Sequence, residues 1–119
     1  MKIPLGELVA FAGEIASKHQ EPSGSILYFQ ILGSLACYCG QKPDELKAAD
    51  WSKLQLGFAN LQKTYGLSDL NANRFAEMAY VFGDKAVARE AFSHVVDSDS
   101  AVWLTEDSFQ CARNWANAP

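Results

Sequence analysis

Between Asn73 and Phe92 the apolar positions fall into two runs of helical spacing, interrupted at Gly83-Asp84. Phe75, Ala76, Ala79 and Phe82 share one face of a first helix, and Ala88, Ala91, Phe92 and Val95 one face of a second. Glycine takes the left-handed conformation that ends a helix, and aspartate accepts backbone N–H bonds at the start of the next. The pattern predicts a helical hairpin cornered at Gly83-Asp84. Its alanines let the two helix axes approach closely.

The same periodicity runs through the rest of the chain. A first helix is expected from Pro4 to Lys18, with Leu5, Leu8, Ala12, Ile15 and His19 as its apolar stripe. Residues 20–24 read as a loop. A second helix from Ser25 to Cys39 is apolar almost all round, which predicts burial on several sides and a place as the central post of the core. Gly40 ends it, and one helical turn is expected over Asp44 to Lys47. Asp50 caps a third helix, Trp51 to Tyr65, whose stripe is Trp51, Leu54, Phe58, Leu61 and Tyr65. Gly66 closes that helix, and Ser68 or Asp69 caps the next. Asp97-Ser98-Asp99-Ser100 is a turn cluster. Thr105 caps a last helix, Glu106 to Ala116, with Phe109, Ala112 and Ala116 inward and Trp103 and Trp115 placed to wedge it onto the hairpin. No stretch alternates as a strand would. The expected fold is a single-domain, all-α bundle of about six helices.

Composition narrows the class. The chain has 119 residues, 49% of them hydrophobic, which suits one domain with its own core. A net charge of −4 disfavours nucleic acid and anionic membrane as partners. Pro4, Glu7 and Glu14 interrupt any signal-peptide core, and the longest apolar run is shorter than the roughly 20 residues of a membrane span. The three cysteines are an odd number and read as reduced thiols, which places the protein in the cytoplasm.

At the hairpin, Gly83-Asp84, Ala88 and Phe92 occupy the turn, small and aromatic positions of half a tetratricopeptide repeat, although no second copy follows at that period. A wider pattern runs from Ser25 with Tyr28, through Trp51 with Phe58 and Tyr65, Asn73 with Phe75-Ala76, and Gly83-Asp84-Lys85, to Trp103. In that order it resembles uncharacterised bacterial all-helical domains with a tetratricopeptide-like hairpin. The resemblance implies an all-helical, repeat-like fold and supplies no catalytic residues.

Candidate chemistry is sparse. His19 and His94 lie in no ligand spacing, so no metal is expected. His94 reads either as a pH-sensitive partner of Asp97 or as a histidine favoured by a helix C-terminus. Cys37, Cys39 and Cys111 read as core residues rather than nucleophiles. Gly83-Asp84-Lys85 lacks the further glycines of a phosphate loop, and Glu7 and Glu14 read as a solvated face. Neither catalytic residues nor cofactors are expected. The most suggestive feature is charge placement. Asp97, Asp99, Glu106 and Asp107 lie in one short segment without Lys or Arg, leaving the rest of the chain balanced at ten acidic against ten basic residues. With Trp103 in their midst they form a candidate docking surface for a basic protein; helix capping is the competing explanation. The expected function is a non-catalytic protein-binding module, in particular an immunity-type inhibitor of a bacterial toxin. A scaffolding or self-associating helical adaptor is the alternative.

Overall fold

A computed structural model describes residues 5–35 and 43–119. Among these residues the chain is helical, without a strand. Its helices are α1 (Leu5–Ser17), α2 (Ser23–Leu35), α3 (Trp51–Tyr65), α4 (Asp69–Phe82), α5 (Lys85–Ser93), α6 (Ser100–Trp103) and α7 (Glu106–Asn117), with a 3-10 helix over Pro43–Ala48. The expected bundle of about six helices is thus present, and α6 is a short addition between the turn read at Asp97–Ser100 and the last helix. Pro4, Cys37, Cys39 and Gly40 lie outside the described residues.

Helices α2 and α3 run antiparallel in close contact. Tyr28 near the middle of α2 accepts a hydrogen bond from the Asp50 N–H at the start of α3, 3.0 Å. Further along, Asn60 Nδ2 donates to Ser25 Oγ, 3.0 Å. Gly57 makes the approach possible: a Cβ there would lie 2.1 Å from the Ser25 carbonyl oxygen and 2.9 Å from Phe29 Cβ. Tyr65, expected on the inner stripe, is instead 74% exposed. It sits at the last turn of α3, on the open side of a cleft that it shares with the first turns of α2. In α1 the buried positions are Ala12 and Ala16, with Leu8 and Val9 packed beside them. His19 lies beyond the end of α1 and is exposed, so it is not part of that stripe.

The hairpin forms as its sequence predicts. Gly83 ends α4 at φ 70°, ψ 20°, and its Asp84 neighbour caps α5 by accepting from the Val87 N–H. Asp84 also accepts from Trp51 Nε1, 2.9 Å, which ties the start of α3 to the corner. Ser68, not Asp69, caps α4.

The central post is α4 rather than α2. Ala72, Asn73, Phe75, Ala76, Glu77, Met78, Ala79 and Val81 are all buried. Two aromatic groups meet on its sides. On one, Trp51 stacks between Phe82 and Phe75 at 4.8 and 5.5 Å, and Phe75 stacks on Phe58 at 4.0 Å. Phe29 closes this row and so joins α2, α3 and α4. On the other, Phe92, Trp103 and Phe109 pack mutually with centroids 5.7 Å apart, joining α5, α6 and α7. Trp115 meets Tyr80 edge-on at 5.4 Å, so both tryptophans do fasten the last helices to the hairpin. Offset and edge-to-face ring pairs of this kind contribute about 1 kcal/mol each beyond their buried area.

Candidate functional site

The acidic segment joins α5 to α7 and is held against the first turn of α4. Asp69 accepts from the Val96 N–H at 2.8 Å and from the Asp97 N–H at 3.2 Å. One turn along, Asn73 Nδ2 donates to the Asp97 carbonyl at 2.9 Å and to the Asp69 carbonyl at 2.8 Å. Its Oδ1 accepts from Trp103 Nε1, 2.9 Å. A buried amide that meets three partners fixes the position of α6 and of the loop before it.

This arrangement corrects the place of Trp103. Its ring is 0% exposed, packed between Phe92 and Phe109 with its N–H on Asn73, so it is a core residue and no surface anchor. The apolar side chains beside the acids are Val96, 83% exposed, and Leu104, 56% exposed. Leu104 has φ 70°, ψ −51°, and the Thr105 N–H reaches back to the Trp103 carbonyl, 2.8 Å. That is a γ-turn of the rare positive-φ form, a strained conformation that costs about 1–3 kcal/mol for a leucine.

The four acids divide in role. Asp99 caps α6 by accepting from the Ala101 N–H. Glu106 accepts from Ser98 Oγ and, at 3.1 Å, from Gln110 Nε2; the Ser98 bond holds its carboxyl below the usual carboxylate range. Asp97 and Asp107 are exposed, the latter in the first turn of α7, where the helix dipole favours it. Capping therefore accounts for part of the cluster. His94 pairs with Glu90, Nε2 to Oε1 3.1 Å, rather than with Asp97, and forms the C-cap of α5. Cys111 is exposed with a free thiol, not a core residue; Cys37 and Cys39 lie outside the described residues.

Buried on α4 is a group that periodicity did not single out. Glu77, one turn beyond Asn73, is 3% exposed, and its Oε2 has no hydrogen-bond partner. Burial pushes its carboxyl up to about 8, while the nearby Arg74 charge pulls the other way. The available signal was a glutamate between Ala76 and Met78 on the same stripe as Asn73 and Val81.

Two clefts flank the turn between α1 and α2. One, of about 480 Å³, is lined by Glu21, Pro22, Asn60, Lys63 and Thr64. The other, of about 290 Å³, is lined by His19, Ser23, Ile26, Leu27, Gln30 and Tyr65. Glu77 lines neither. Among the described residues no group of three or more His, Cys, Asp or Glu is placed to hold a metal ion, and no helix is long and apolar enough to cross a membrane. Comparison of the chain with protein-family models, curated proteins and solved structures finds no match.

Proposed function

We propose that this chain is a non-catalytic protein-binding module whose segment from Val96 to Asp107 docks a basic surface of a partner protein. The observation that carries the reading is the concentration of the whole net charge, −4, in Asp97, Asp99, Glu106 and Asp107. With Trp103 in the core, the apolar contacts of such a surface fall to Val96 and Leu104. Clustered carboxylates steer a cationic partner, and apolar contacts beside them slow its departure. An immunity-type inhibitor that covers the basic surface of a bacterial toxin in the cytoplasm is the specific form of this function.

A scaffolding or self-associating role is the second reading. It draws on Phe11, Leu56, Tyr65 and Leu67, exposed apolar residues on and just after α1 and α3. Cross-linking the chain to partners in its native source, followed by mapping of the linked residues, separates the two. Links concentrated at 96–107 support the docking surface. Links concentrated on α1 and α3, or between two copies of the chain, overturn it in favour of the scaffold.

A further inference from the structure

Helix α7 has no basic residue in its last turn. The last carbonyls of a helix lack partners within it, and here α5 supplies them. Arg89 Nε donates to the Ala116 carbonyl and Arg89 Nη2 to the Ala118 carbonyl, each 3.1 Å. Lys85 Nζ donates to the Pro119 carbonyl, 3.3 Å, and lies 5.7 Å from the centre of the Trp115 ring. The planar guanidinium fork spans two carbonyls at once, which the point charge of an ammonium does less well.

The rest of the attachment of α7 is slight. Its buried residues are Phe109, Ala112 and Ala116, so most of the apolar contact falls to one ring. Phe109 packs on Phe92 and Trp103, and Trp115 meets Tyr80. At the other end α7 follows the γ-turn at Leu104, whose positive φ is strained for a leucine. On the α6 side of that turn the chain is fixed: Val102 and Trp103 are buried, and Trp103 Nε1 donates to Asn73. On the α7 side the exposed Ser98 hydroxyl donates to Glu106. A strained leucine thus joins a pinned element to a helix whose far end is clasped by two cations. Swinging α7 away relieves the strain at Leu104, and the clasp opposes that motion.

We propose that α7 is a hinged arm, pivoted at Leu104 and latched by Arg89 and Lys85, which opens as one unit while α6 stays on α4. Glu106 and Asp107 travel with the arm. Asp97 stays held by Asp69 and Asn73, and Asp99 stays at the cap of α6. The closed arm keeps Glu106 on Ser98, between Asp97 and Asp99 in the chain; the open arm divides the acidic cluster in two.

The effect on docking rests on the proposed function of the acidic face; the arm itself is tested without a partner. Amide hydrogen exchange of the full chain is followed residue by residue at low urea concentrations. The expected result is one shared opening for the amides of 109–117, more frequent than the opening of α4, with Val102 and Trp103 grouped with α4. Arg89→Gln should speed exchange across the arm by roughly tenfold, and Arg89→Lys by less. Leu104→Gly, which removes the strain, should slow it by roughly fivefold. Exchange of α7 together with α4, protection lost only from the Asn117 end, or an arm unmoved by Leu104→Gly overturns the hinge. The expected exchange pattern with a failed partner assay would instead count against the docking surface alone.

Discussion

Glu77 is the residue at which folding and acidity are most strongly linked. Its carboxyl has an ordinary value of 4.5 when the chain is unfolded and about 8 when folded. Between those values the folded chain keeps a proton that the unfolded chain has released, so stability falls as pH rises. The contribution is level below the lower value and level again above the upper one. By pH 7 the loss is on the order of 3 kcal/mol. Urea unfolding at pH 5 and at pH 8 should therefore find the wild-type chain less stable at the higher pH, and Glu77→Gln nearly unchanged. A wild-type chain equally stable at both would show that the carboxyl reaches water or a partner. Asn73 is a second buried polar residue of α4, and its role is a hydrogen bond rather than a charge. Asn73→Ala strands the buried Trp103 N–H and should cost about 2 kcal/mol or more. The accompanying sign is a changed near-ultraviolet circular dichroism signal from the loosened indole.

At the scale of elements, helix spacing and caps were legible because both are local. Asp50, Ser68, Asp84 and Thr105 each accept from the N–H three residues on, as their residue types predict. Gly83 has the positive φ that its place at a helix end requires. Gly83→Val should lower stability by roughly 1 kcal/mol or more through backbone strain, read as a shift of the thermal midpoint. What remained illegible depends on contacts between distant residues. The helical pattern of α3 carries no signal for Gly57, yet the crossing of α2 and α3 is built on its missing side chain. Gly57→Ala should cost about 3 kcal/mol, at the upper end for overpacking, since a backbone oxygen stands where the methyl would go. If that variant melts like wild type, the two helices are not as close as described. The acidic segment misled for the same reason. Its charges were visible in order along the chain, but the acceptor that satisfies the Trp103 N–H in the core is Asn73, thirty residues earlier.

For the whole molecule, α4 acts as the axle: one aromatic row locks α2 and α3 to it, and a second joins α5, α6 and α7, which the Trp103–Asn73 bond and the Tyr80–Trp115 contact tie to α4. The acidic segment is pinned to this axle through Asp69 and Asn73, so it is a placed surface rather than a loose linker. The docking proposed for it would need no prior ordering of the segment, which favours fast, charge-steered association. Testing it needs variants that leave the fold intact. Asp99 and Glu106 hold structural bonds, whereas Asp97→Lys with Asp107→Lys spares the α6 cap and the Ser98 contact. Trp103→Ala would remove a core ring, cost about 3–5 kcal/mol and say nothing about docking. The decisive measurement is the association rate of the captured protein partner with wild type and with the Asp97→Lys, Asp107→Lys variant, at low and at physiological salt. The variant is expected to associate more slowly, by roughly tenfold at low salt, with a flattened salt dependence and an unchanged melting curve. A variant that folds and associates at wild-type rates at both salts would contradict the docking surface and leave the acids as helix caps.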